Sequence, residues 1–232
     1  MSILHNNDWN HYIKVVEEVK KKAVECGRSS NDIKIIAVSK TVPLQKMQSV
    51  YNDGCRFFGE SRIQEAQGKI PEMPLDCYWH LIGSLQKNKV GKAVELFDLI
   101  HSVDTPELAY KIGTVSREMN IQSSILLQVN TSGELSKHGL SPIEWEKKLD
   151  SIQNYTNLNI LGLMTMAPLT EDQQQIRSCF RLLYQLREKW RARMANPSIF
   201  QHLSMGMSND YLIAIEEGAT FLRIGTAIFD PH

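Results

Sequence analysis

No run of apolar residues in this chain approaches the ~20 that a membrane-spanning helix needs. The N-terminal stretch 1–10 is polar and lacks the basic and apolar blocks of a secretion signal. Cysteine is scarce: Cys26, Cys55, Cys77 and Cys179 are widely spaced and form no Cys-x-x-Cys. That pattern argues against a disulfide framework and is expected of free thiols in a reducing cytoplasm. The seven histidines include no pair at helical metal-ligand spacing, so no zinc site is expected. An excess of one charge is lacking too, because Lys+Arg and Asp+Glu balance at 26 each. No field for a polyanion results, and a nucleic-acid partner is not expected. Finally, no Pro/Gly/Ser-rich linker or low-complexity tract divides the chain, so residues 1–232 read as one domain.

What is present is a globular composition, 42% hydrophobic and 22% charged over 232 residues, enough for one sizeable core. The first segment opens at Asp8 and places Ile13, Val16, Val19 and Ala23 at helical spacing, with Gly27 as a stop. Short apolar runs then recur near 33–39, 56–58, 78–82, 98–102, 124–130, 158–164, 199–204 and 220–225. Amphipathic stretches separate them, with start signals at Thr105-Pro106 and capping boxes at Ser141–Glu144 and Thr170–Gln173. After Thr170 a long helix repeats Ile176, Phe180, Leu183, Leu186 and Trp190 down one side. Strands that are continuously apolar rather than alternating belong to a parallel sheet covered by helices. Eight such units predict an α/β fold, a single closed (β/α)8 TIM barrel with an extra N-terminal helix.

A barrel of this kind places its chemistry at the C-terminal ends of its strands. The first run ends in Ser39-Lys40-Thr41, where a lysine above an apolar strand can lose solvation and act as a nucleophilic amine. A solvated surface lysine is the plain alternative. The second run ends in Gly59-Glu60-Ser61, the third in His80 followed by Gly83-Ser84, and the sixth in Met164-Thr165. Ser204-Met-Gly-Met-Ser208 after the seventh run, with Gly225 and Thr226 after the eighth, offers backbone N–H groups and hydroxyls to an anion. Alternatively, Ser208 or Asn209 caps the last helix and Gly225 is a packing glycine. A lysine facing a phosphate cup is the layout for a phosphorylated aldehyde held as a Schiff base, and pyridoxal 5′-phosphate (PLP) satisfies both ends. Arg223 would then reach the pyridine nitrogen, disfavour its protonation and leave a weak electron sink; a rim salt bridge is its other reading. Met164 is placed either against a cofactor ring or in the core. Lys137-His138 lies in a polar loop read as a lid or as plain surface.

Taken in order, Ala37-Val-Ser-Lys40-Thr, Phe58-Gly-Glu, Trp79-His80 with Ile82-Gly83, and His101-Ser-Val-Asp104 share a known pattern. It continues through Val129-Asn-Thr-Ser-Gly133 with Ser136-Lys-His-Gly139, Gly162-Leu-Met164, Leu203-Ser-Met-Gly-Met-Ser208 and Arg223-Ile-Gly-Thr-Ala-Ile-Phe229. The chain resembles the pyridoxal phosphate homeostasis protein family over nearly its whole length. The resemblance implies a single barrel like the alanine racemase N-terminal domain (PLP fold type III). It implies Lys40 as the Schiff-base lysine, Ser204 or Ser208 with Gly225 and Thr226 at the phosphate, and Arg223 at the ring nitrogen. Ser61, His80 and Met164 complete the cofactor-binding set expected here. The family has Asn where Ser61 follows Glu60, and often His or Pro where Ser84 stands; finer contacts and affinity are what those departures touch.

The expectation is therefore a cytoplasmic, monomeric PLP-binding protein of vitamin B6 homeostasis, without catalytic residues of its own. It would store PLP or deliver it to apo PLP-dependent enzymes. The rival is a PLP-dependent amino-acid racemase, which needs a second acid/base group, commonly a tyrosine from an additional domain. No such domain is expected here, and Tyr78 and Tyr211 read as core or helix residues. A Schiff-base aldolase without cofactor explains Lys40 but leaves the cup to a phosphorylated substrate.

Overall fold

The computed structural model describes residues 10–134, 138–153, 155 and 157–230. Strands β1 (Lys34–Val38), β2 (Phe57–Glu60), β3 (Tyr78–Leu81) and β4 (Leu99–Val103) are followed by β5 (Ser123–Gln128), β6 (Leu158–Met164), β7 (His202–Ser204) and β8 (Phe221–Ile224). All pairings are parallel, and β8 returns to β1, closing an eight-stranded barrel in sequence order. The helices are α1 (His11–Glu25), α2 (Leu44–Asn52), α3 (Ile63–Lys69), α4 (Val90–Leu96) and α5 (Pro106–Glu118), then α6 (Pro142–Glu146), α7 (Leu149–Ile152), α8 (Gln173–Arg191), α9 (Tyr211–Glu216) and α10 (Thr226–Phe229). Among the described residues no helix is long and apolar enough to cross a membrane.

Strand alternation sorts each apolar run onto two faces. Ile36, Leu99, Leu126, Met164 and Phe221 fill the barrel interior as one cluster. Their neighbours Ile35, Ala37, Ile100, Ile125, Leu163 and Leu222 face the helices and join the larger core there. Both faces are buried, which is why the strands read as unbroken apolar runs.

The helix signals fare unevenly. Thr105 caps α5 by accepting from Leu108 N–H, and the Ser141–Glu144 capping box is complete. The buried stripe of α8 is the expected one. The box at Thr170 is not formed: Asp172 is the N-cap and accepts from the N–H groups of Gln174 and Gln175, while Thr170 accepts from Asp172 N–H. For the first helix, Asp8 lies outside the described residues; Asn10 caps α1, whose buried stripe is Val15, Val19 and Ala23. Ile13 is exposed and Val16 half-buried, one step round the helix from that stripe. The Ser136 and Lys137 positions, and the tail after Asp230, also lie outside the described residues.

Candidate functional site

Closure of the barrel makes β1 and β8 neighbours, with Ile36 opposite Arg223 and Ala37 opposite Ile224. Lys40 and the Gly225-Thr226 turn therefore leave the same edge of the mouth, although they lie at opposite ends of the chain. Strand β1 ends at Val38, and Lys40 sits beyond it with an exposed side chain rather than one desolvated by the strand. Thr226 is also exposed, whereas Ser208 and Gly225 are half-buried. The Ser208 hydroxyl accepts from Ala227 N–H at 3.2 Å, so it ties the β7 loop to the β8 turn and does not cap α9. Asp210 instead holds that loop by accepting from Met207 N–H at 2.5 Å. Gly206, at φ 93°, must be glycine, since a Cβ would lie 2.6 Å from the Ala214 Cβ.

Gly225 is a different case. Its φ of −113° suits any residue, and a Cβ there would meet no protein atom closer than the 3.4 Å to Val38. Neither backbone nor packing requires glycine, because a Cβ there would make only ordinary van der Waals contact with Val38 at the end of β1.

Below the mouth lies a buried polar chain. Arg223 is 4% exposed, and its guanidinium donates to the Ser204 hydroxyl at 2.5 Å and to the Thr165 carbonyl at 2.9 Å. His101 Nδ1 lies 2.8 Å from the Ser204 oxygen, and its Nε2 lies 2.9 Å from His80 Nδ1. The Phe221 ring packs against both imidazoles at 5.5 and 5.6 Å. Burial pushes His80 down to about 3 and His101 well below its usual range, the latter helped by His80 and by the Arg223 charge. Both are neutral at pH 7. Burial lowers Arg223 to about 10, partly offset by the more distant Asp210 carboxylate. No carboxylate contacts the guanidinium among the described residues, so it is charged but only partly compensated.

Three of the expected cofactor contacts are buried in this arrangement, each against other residues of the barrel. Ser204 is fully buried, with its hydroxyl bonded to Arg223 and facing His101. His80 lies in the barrel interior against His101 and Phe221, not at the mouth. Met164 belongs to the interior apolar cluster with Ile36, Leu126 and Phe221. Tyr78, read as core, is 50% exposed at the opposite end of its strand and stacks on Phe57. Ser61 stays at the mouth: with Gly83, Ser84, Gln86 and Lys89 it lines a cavity of about 560 Å³ after β2 and β3. His138 is exposed, and its carbonyl accepts from Gln128 Nε2 at 3.3 Å.

Residues 19–231 match the alanine racemase N-terminal domain family, which defines the class of barrel. The chain is 40% identical over 217 residues to the pyridoxal phosphate homeostasis protein of Aquifex aeolicus, covering 93% of this chain and 94% of that protein. The protein of that name from Vibrio cholerae is 35% identical over 223 residues, covering 93% and 92% respectively. Among solved structures, PipY of Synechococcus elongatus with PLP bound superposes with a TM-score of 0.80 at 34% identity, over 91% of this chain and 99% of that one. The chain belongs to the pyridoxal phosphate homeostasis protein family. An alanine racemase of Clostridium difficile, 11% identical with a TM-score of 0.73 over 95% of this chain and 56% of that one, shares the fold.

Proposed function

We propose that this chain binds PLP at the C-terminal mouth of the barrel and serves PLP homeostasis as one storing or delivering domain. The observation that carries this is the β1–β8 pairing, which makes the strand end leading to the exposed Lys40 the neighbour of the one leading to Gly225, a glycine that neither backbone nor packing requires. Lys40 would bond the aldehyde. Ser208, Thr226 and the backbone around Gly225 would receive the phosphate, with Ser61 on the opposite rim. Arg223 would meet the ring nitrogen from below. Bound there, PLP supplies an aldehyde that condenses with a primary amine and a conjugated ring that draws electron density from it. The names of the relatives and the PLP-bound PipY support this reading.

Arg223 also supports a carrier over a catalyst. A guanidinium already carrying charge resists protonation of a ring nitrogen set against it, and an unprotonated ring stabilises a carbanion poorly. The Tyr211 hydroxyl is engaged by Glu18, and Tyr78 lies at the far end of the barrel, so neither tyrosine stands at the mouth as a second acid or base. We assign the protein to the cytoplasm as a monomer on its free cysteines and balanced charge, with apo PLP-dependent enzymes as transient partners.

The test is spectroscopic. Protein mixed with PLP should gain a visible absorbance band that borohydride reduction shifts, with the label on the Lys40 peptide, and Lys40→Ala should lose both. A colourless wild type, or a label that survives Lys40→Ala, overturns the assignment. Lys40-dependent turnover of an amino acid would instead favour the racemase. Delivery predicts transfer of bound PLP to an apo-enzyme faster than free dissociation allows.

A further inference from the structure

One helix holds Lys40 from both sides. The Lys69 ammonium at the end of α3 donates to the Ser39 carbonyl at 2.7 Å, and Glu65 on the same helix accepts Thr41 N–H at 3.0 Å. These are the two peptide groups that flank the Lys40 Cα. The Lys69 side is anchored in turn: Lys69 pairs with the fully buried Glu60 at 2.9 Å, and the same Glu60 oxygen accepts the Ser39 hydroxyl at 2.6 Å. The other carboxylate oxygen of Glu60 has no partner among the described residues, so a buried group is left half satisfied by this arrangement. Glu65 lies 3.8 Å from Lys69, one helical turn away, which joins the two halves.

Thr41 sits at φ 60°, one of two non-glycine residues with positive φ among those described. For a β-branched side chain that conformation is strained and persists only where the surroundings impose it. Two contacts hold it there: Val42 N–H donates to the Ser39 carbonyl at 3.0 Å, closing a turn with Lys40 and Thr41 at its centre, and Glu65 accepts the Thr41 N–H.

We propose that α3 is a clamp that sets the direction in which Lys40 leaves the barrel, with Glu65 and Lys69 as positioning residues for its amine. This rests on the reading of Lys40 as the PLP anchor. A lysine side chain has many rotamers, so the backbone is the part the protein can fix in advance. Condensation with an aldehyde held by its phosphate needs the amine within reach at a workable angle. Without Glu65 the Lys40–Thr41 peptide loses its tie to α3, and only the Val42-to-Ser39 turn bond is left to set the direction in which the lysine leaves.

Wild type, Glu65→Ala and Glu65→Gln are mixed with PLP, quenched with borohydride at successive times, and the label on the Lys40 peptide is measured by mass spectrometry. Glu65→Ala should slow labelling about tenfold to a hundredfold, the scale of an ångström-sized misplacement. Glu65→Gln keeps an oxygen for Thr41 N–H and should stay within about threefold of wild type. Thermal unfolding of the PLP-free variants should shift by only a few degrees, since Glu65 lies at the partly exposed edge of the cluster. Equal labelling rates in Glu65→Ala and wild type overturn the clamp while leaving Lys40 as the anchor. A slowed Glu65→Ala that Gln does not rescue also overturns it, by assigning the effect to charge. A wild type that takes no label at Lys40 overturns the reading beneath.

Discussion

Arg223 donates to the Ser204 hydroxyl at 2.5 Å, and His101 Nδ1 lies 2.8 Å from the same oxygen, so one hydroxyl joins a buried cation to a buried imidazole. The donors order the chain. Arginine can only donate, so Ser204 accepts from it; giving the serine proton His101 Nδ1 as its acceptor assigns the His101 proton to Nε2, facing His80 Nδ1 at 2.9 Å. Every member stays neutral except Arg223, which no carboxylate contacts among the described residues.

Arg223→Met therefore tests what the guanidinium contributes. Methionine fills similar apolar space and leaves Ser204 with its bond to His101. PLP affinity, read by fluorescence titration, should fall about tenfold to a hundredfold, the worth of a charge-assisted hydrogen bond. Borohydride should still label Lys40, because the anchor is a separate group. Unchanged affinity would mean that Arg223 serves only the barrel interior.

The neutral histidines also set an acid limit. An unfolded histidine titrates near 6.5, whereas folded His80 resists protonation down to about 3 and His101 is shifted in the same direction. Below pH 6.5 the unfolded chain takes up protons that the folded barrel refuses. The histidine contribution is thus fully present above about pH 6.5 and is lost as pH falls toward 3, at about 1.4 kcal/mol per pH unit for each histidine. His80→Asn retains a carbonyl acceptor for His101, and urea unfolding at pH 7, 6, 5 and 4 should show its acid slope shallower by about that amount. Identical slopes would show that the carboxylates alone govern acid unfolding.

The barrel itself is legible in the sequence because strands buried on both faces read as continuous apolar runs, and each of the eight expected runs overlaps a strand. Termini are less so: Thr170 and Asp172 both offer a capping oxygen, and only the fold decides that Asp172 takes the N–H groups. At the site, Lys40, Ser208, Gly225 and Thr226 are readable as residues just past strand ends. Ser204, His80 and Met164 are not separable from them by position, because depth inside a barrel depends on the stagger between strands. The Glu65–Lys69 pair carries the Glu-to-Lys i,i+4 signal of an ordinary exposed helix face, and nothing local shows it turned toward Lys40.

Gly225 provides the most direct separation of ligand from fold. The three conformationally informative glycines at the mouth and walls behave differently toward an added methyl. At Gly162 a Cβ would lie 1.9 Å from the His202 carbonyl oxygen, and at Gly206 it would lie 2.6 Å from Ala214 with φ at 93°, so alanine at either should unfold or strongly destabilise the barrel. At Gly225 the nearest protein atom would be 3.4 Å away. Gly225→Ala should therefore leave the PLP-free thermal midpoint within about 2 °C of wild type, as expected of a substitution that neither strains nor overpacks. The same methyl would occupy the approach to the turn's N–H groups, so PLP affinity should drop by at least about tenfold, the loss of one charge-assisted contact. Titrating free inorganic phosphate in competition with PLP reads the cup alone: the variant should lose phosphate competition along with PLP affinity. A variant that keeps both affinities would show that the phosphate lies elsewhere on the mouth, whereas one that loses its thermal midpoint would show that Gly225 is a packing residue after all.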